Sequence, residues 1–267
     1  MQSSSRKVLI VTVGHLRPMF IPDKLSRHLV TCIESASDLA VEPPIIEPFT
    51  DRELSEYYWL FGLKNYLLQN INLYSHISVS HYRRFISFGR AGVVSENQSY
   101  TRVVDAATAS VLAQRCLIPA IEDYMVGSSL SLEGGSIFTQ FGRHHSLHPL
   151  FRLLSNAGSL KILDNDFMCE FARSRNFIPA PSASFLPVVK FVSLMEMLER
   201  CVRSIVRESH VYIDSGYQRR ILAFSIERVH AVALARILRS APELSIKFGQ
   251  QYVVSDVKKI SGTVNEP

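Results

Sequence analysis

Residues 7–14 read KVLIVTVG, and this stretch decides the fold class. Val8 to Val13 is an unbroken apolar and β-branched run that ends at Gly14, the form expected of a strand buried on both faces of a parallel sheet. Arg6 and Lys7 ahead of it superficially resemble the start of a secretion signal, but the run is too short and no small-residue cleavage site follows. No segment approaches the roughly 18 apolar residues needed to span a bilayer. The expectation is a cytoplasmic protein whose only membrane contact is peripheral, at the inner face.

Outward from this strand, a helix is expected around Asp23 to Glu34. The Pro43-Pro44 loop then leads to Thr50-Asp51, good N-cap residues with Glu53 in the first turn. Leu54, Tyr57, Tyr58, Phe61 and Leu68 recur at helical spacing, and His76 to Ser80 reads as a strand that delivers His81 to a loop. The middle of the chain is glycine-punctuated, with a helix expected near Tyr100 to Ala113 and strand pieces at Cys116 to Ala120 and Ser136 to Phe138. Pro187 to Val206 predicts a long amphipathic helix. Gln218 to Ser240 predicts another, apolar nearly all round and therefore buried. The fold class is α/β: a mostly parallel, Rossmann-like sheet flanked by helices, with a helical C-terminal part. Ligands of such sheets bind beyond the carboxyl ends of the strands.

The 267 residues, 47% of them hydrophobic, suffice for one domain over 1–267, with a flexible polar tail at 255–267. A formal charge of +5, from 29 basic and 24 acidic residues, suits an anionic ligand but is too mild and too scattered to imply nucleic acid. The four cysteines, at 32, 116, 169 and 201, show no zinc-ligand spacing and read as reduced thiols. There is no GxSxG, P-loop or GxGxxG signature.

Three places carry chemistry. His81-Tyr82-Arg83-Arg84 after a strand can clamp a diphosphate through guanidinium forks, or can be a solvated loop edge. Glu53-Leu54-Ser55-Glu56-Tyr57-Tyr58-Trp59 sets the sole tryptophan beside two carboxylates, where the rings either stack on a base or sugar or build core. Glu53 reads as a capping group, and Glu56 faces either solvent or a cleft. Glu227 interrupts an apolar helix, so it is ion-paired, protonated or functional. His144, His145 and His148 lack a metal-binding arrangement, and Asp164-Asn165-Asp166 is a weaker DxD candidate. No metal ligand is assigned.

ELSEYYW at 53–59, HYRRF at 81–85 and IERV at 226–229 together resemble the bacterial domain-of-unknown-function 4422 family, regarded as glycosyltransferases of capsule and exopolysaccharide synthesis with a GT-A-like fold. The resemblance runs from about residue 7 to about residue 240, and the HYRR element is its most specific part. It departs from the family at His15-Leu16, at Phe61-Gly62-Leu63 and at Ser184-Phe185-Leu186. It implies a hexosyltransferase-like enzyme moving a sugar from a nucleotide-diphospho-sugar, a UDP-sugar being one candidate, to a saccharide or lipid-linked saccharide acceptor. A divalent metal is admissible but not required. Residues 1–95 would form the nucleotide-binding half and 96–250 the acceptor-side half. The family pattern gives Tyr58, Trp59, His81, Tyr82, Arg83, Arg84 and Arg228 to the donor site, and Glu227 or Glu53 to general-base catalysis. The alternative is a non-catalytic nucleotide- or carbohydrate-binding relative.

Overall fold

Val8–Val13 forms strand β1 and is buried along its whole length. Its side chains feed two separate cores, Leu9, Val11 and Val13 on one face and Val8 and Ile10 on the other, which is why the run shows no polar alternation. The computed structural model describes residues 7–14, 29–32, 41–96, 98, 100–116, 123–132, 135–206, 219–240 and 245–255. In chain order the remaining strands are β2 Leu29–Cys32, β3 His76–His81, β4 Arg84–Ser87, β5 Val93–Val94, β6 Thr101–Val104, β7 Tyr124–Gly127, β8 Leu130–Ser131, β9 Asn176–Phe177, β10 Ser184–Pro187 and β11 Ile246–Val254. The helices are α1 Asp51–Leu54, α2 Glu56–Gln69, α3 Ala106–Cys116, α4 Ile137–Gly142, α5 His148–Ser159, α6 Asn165–Arg173, α7 Val188–Val206 and α8 Ile221–Arg239.

The main sheet has nine strands in the order β2-β1-β3-β10-β7-β11-β6-β5, with β4 paired to both β3 and β11. It is α/β as expected, but mixed rather than mostly parallel. Within this sheet, among the described residues, four strand pairings are parallel and five are antiparallel. Two features cause this. The turn after His81 is only two residues long, so β4 must fold back antiparallel on β3. β10 then runs antiparallel between β3 and β7. As a result β3, β10, β7, β11 and β4 close on themselves as a five-stranded ring. Strands from before and after residue 95 share this sheet.

The helix expected over 23–34 is corrected where it is described, since Leu29–Cys32 is strand β2, parallel to β1. The rest of that span lies outside the described residues. The strand expected at 136–138 is a helix start, with Ser136 capping α4 by accepting from the Thr139 amide. The expected helix near Tyr100 begins later, because Thr101–Val104 joins the sheet first. Of the tail over 255–267 only Ser255 is described, its amide donating to Val104 O at 3.0 Å.

α2 and α7 pack on one face of the sheet, and α5 and α8 pack on α7, around fully buried Tyr57, Phe61, Phe141 and Phe171. Each such side chain contributes about 1.5–3 kcal/mol by leaving water. Lys64 of α2 is buried against α7, where Glu196 at 2.9 Å and Glu199 at 2.8 Å compensate its charge. α3 covers the opposite face with Ala109, Leu112 and Ala113. Among the described residues no helix is long and apolar enough to cross a membrane.

α8 also carries His230, whose Nδ1 lies 3.1 Å from the Tyr57 hydroxyl in a site that is 1% exposed. Burial pulls this imidazole down to about 3 despite the opposing charge of Glu56. Below pH 6.5 the unfolded chain therefore binds a proton that the folded chain refuses, so stability rises with pH from about 3 to 6.5. Urea unfolding should lose about 1.4 kcal/mol per pH unit below that point from this one group. His230→Gln, which keeps a polar partner for Tyr57, should flatten the slope; an unchanged slope would show that His230 is protonated in the folded chain.

Candidate functional site

Val13 and His81 are register partners at the carboxyl ends of the parallel strands β1 and β3, so whatever follows each of them meets at one edge of the sheet. Gly14 follows β1 and Tyr82 follows β3. A Cβ on Gly14 would sit 2.6 Å from Tyr82 Cδ1, so only glycine lets the tyrosine close over the end of β1. The Tyr82 amide fixes the approach by donating to Val13 O at 3.0 Å.

The opposite walls come from two helix starts. Thr50 caps α1 through a capping box with Glu53, and the chain then breaks at Ser55, which adopts the left-handed φ of 53°. The break starts α2 afresh at Glu56, so Glu56 and Trp59, three residues apart, share the face that looks onto His81. From the other side α8 presents Arg220, Ala223, Phe224 and Glu227. Ala180, at φ 43°, completes a cleft of about 310 Å³.

Arg52, Arg83, Arg84 and Arg220 line this cleft against the carboxylates of Asp51, Glu56 and Glu227. No described residue forms an ion pair with Arg83 or Arg84; the Arg83 guanidinium lies 5.5 Å over the Tyr82 ring. Arg220 is held by the Ser55 hydroxyl at 2.6 Å and stands 3.9 Å from Glu56. Burial pushes the Glu56 carboxyl up, but His81, the Ser55 hydroxyl and Arg220 outweigh it and hold the group below the usual carboxylate range. His81, its Nε2 2.9 Å from the Ser182 hydroxyl, is pulled below the usual range by burial, helped by Arg84 and Arg220 and opposed by Glu56 and Glu227. Glu227 accepts from the Ala180 amide at 3.3 Å and lies 3.2 Å from Arg228. The cleft thus offers unpaired cations for an anion, an aromatic face, and carboxylates on two sides.

Of the residues singled out from sequence, Trp59, His81, Tyr82, Arg83, Arg84 and Glu227 meet here. Three do not line the cleft. Glu53 is 2% exposed and fully engaged, accepting from the Thr50 amide and hydroxyl and from Arg219 at 2.5 Å. Tyr58 sits edge-on against Trp59 and packs on the main core. Arg228 points behind α8, 4.9 Å over the Phe177 ring and bonded to Gln140. Asp164 of the DxD stretch caps α6 and pairs with Arg236, while His145 stacks on Phe224. Cleft residues that sequence reading did not commit to include Glu56, Arg52, Arg220 and Gly14. The signal for Glu56 was its three-residue spacing from Trp59.

Glu53→Ala should therefore cost stability rather than turnover. Loss of the capping-box and ion-pair acceptor is expected to lower unfolding free energy by about 1–3 kcal/mol in urea titrations. A folded variant with turnover reduced a hundredfold would instead make Glu53 part of the chemistry.

This arrangement of strands and helices has a solved counterpart. The apo structure of the bifunctional glycosyltransferase WbbM superposes with a TM-score of 0.69 over 97% of this chain, at 14% identity. The chain shares that fold. It spans 47% of the WbbM chain, about half of that protein. No protein-family model and no curated protein matches it in sequence.

Proposed function

We propose that this chain is a glycosyltransferase that moves a sugar from a nucleotide-diphospho-sugar, a UDP-sugar among the candidates, to a saccharide or lipid-linked saccharide acceptor in surface polysaccharide synthesis. The observation that carries this reading is the convergence of Arg83, Arg84, Glu56, Trp59 and Glu227 on one cleft at the carboxyl ends of β1 and β3. In α/β sheets that edge is where ligands bind. The glycosyltransferase fold and the order of the ELSEYYW, HYRR and IERV elements support it.

In this reading Arg83 and Arg84 hold the diphosphate and neutralise the charge that grows on it as the bond to the sugar breaks. The N–H groups of a guanidinium pair with phosphate oxygens without any change of protonation. Trp59 offers its face to the base or sugar. Glu227 accepts the proton of the acceptor hydroxyl as that oxygen bonds to the sugar, with the Ala180 amide fixing the carboxylate's orientation. Glu56 and Arg220 face it as a charge pair that can orient a sugar hydroxyl.

Incubation with a panel of nucleotide sugars and oligosaccharide acceptors, followed for released nucleoside diphosphate, tests the reading. Release that depends on one donor is expected. Tight binding of a nucleotide sugar with no release under any acceptor would favour a non-catalytic binding protein.

A further inference from the structure

A second cleft, of about 710 Å³, opens along the C-terminal half of α8. Its size falls within the roughly 300–1,000 Å³ typical of small-molecule sites. The floor is apolar, with Phe177 and Leu238 buried at 6% and 7% and Ile246 beside them. Strand alternation puts Phe248 on the same side as Ile246 and sends Lys247 to the other, where its Nζ stands 4.2 Å over the Phe88 ring. Phe248 is left 52% exposed at the mouth.

The rim has the opposite character. Arg173, Arg175 and Arg239 line it with a single carboxylate, Glu170, and that carboxylate is already paired with Arg239. Neither Arg173 nor Arg175 has an ion pair with a described residue. A neutral apolar ligand leaves the two guanidinium groups unused. A bare anion leaves the floor, with its exposed aromatic, facing water.

The geometry points to a binding site for an amphipathic anion: an apolar chain against Phe177, Leu238 and Phe248, carrying a phosphate or diphosphate head held by Arg173 and Arg175. The site stands on its own lining and needs no nucleotide. It also adjoins the first cleft, since Phe177 and Ile178 line one and Ala180 the other. Along α8, Glu227 and Ala235 are eight residues apart, or about 12 Å at the helical rise. If the glycosyltransferase reading holds as well, the ligand's chemistry suits the carrier of the acceptor, bound on one side of this segment while its sugar reacts on the other.

Calorimetric titration of the full chain carrying Arg83→Ala/Arg84→Ala, which removes the diphosphate clamp of the first cleft, with farnesyl diphosphate and with inorganic pyrophosphate tests the site. Farnesyl diphosphate should bind about tenfold or more tightly than pyrophosphate, because only it covers the floor. Arg173→Ala/Arg175→Ala should weaken it by about tenfold or more through loss of charge-assisted bonds. Phe248→Ser should weaken farnesyl diphosphate alone. Because the titrated chain lacks the first cleft's arginines, failure of the donor reading would not affect the outcome. Affinity unchanged by the further change Arg173→Ala/Arg175→Ala, equal affinity for the two probes, or no binding of farnesyl diphosphate would each overturn the proposal.

Discussion

Arg83→Ala/Arg84→Ala is expected to lower affinity for the donor's nucleoside diphosphate by about 10²-fold or more, since each charge-assisted bond to phosphate is worth about 1.5–3 kcal/mol. The fold should tolerate the change. Arg83 is exposed, Arg84 is half-buried, and no described residue pairs a carboxylate with either. The β3–β4 turn is held by backbone bonds, among them the Tyr82 amide to Val13 O and the Val254 amide to Arg83 O. Arg83→Lys/Arg84→Lys should recover only part of the loss, because an ammonium keeps the charge but not the planar fork. Calorimetry with nucleoside diphosphates reads the effect directly. An alanine double variant that binds as tightly as the wild type would remove these arginines from the donor site.

The second large effect is expected at Glu227. Glu227→Gln keeps the volume and an oxygen to accept from the Ala180 amide, but it cannot take a proton from an acceptor hydroxyl. A general base in this position predicts a loss of turnover of about 10²-fold or more, with donor affinity little changed. Stability should fall by only about 1–2 kcal/mol, because Arg228 keeps its bond to Gln140 and its contacts with the Phe177 and Phe141 rings. A variant that unfolds while its surviving folded fraction stays fully active would make Glu227 a structural partner of Arg228. The base would then be sought at Glu56, the carboxylate on the opposite wall of the cleft.

These two residues also show how far the chain could be read unaided. VLIVTV was legible because burial on both faces of β1 selects apolar and β-branched side chains, its one hydroxyl, Thr12, being matched by Ser80, and HYRR because it spans the turn at the carboxyl end of β3. Glu227 and Arg228 are adjacent on α8 and so point about 100° apart. The structure sends Glu227 into the cleft and Arg228 behind the helix. Glu53 and Glu56 are spaced like residues of one helical face. The left-handed turn at Ser55 ends α1 between them and redirects the second carboxylate, a break that no periodicity announces. β2 and β10 were hidden for a different reason. Each is only four residues long, and its place depends on a distant partner in the sheet rather than on its own pattern.

The position of Trp59 provides the most direct test of the account. It is the sole tryptophan of the chain and it lines the cleft, so its emission reports on that cleft alone. Titration with uridine, guanosine and other nucleoside diphosphates should give a saturable change in Trp59 fluorescence for at least one of them, and the same titration of Arg83→Ala/Arg84→Ala should require about 10²-fold more ligand. Emission that responds to no nucleoside diphosphate, or that responds equally in the double variant, would contradict the assignment of this cleft as a nucleotide-sugar site.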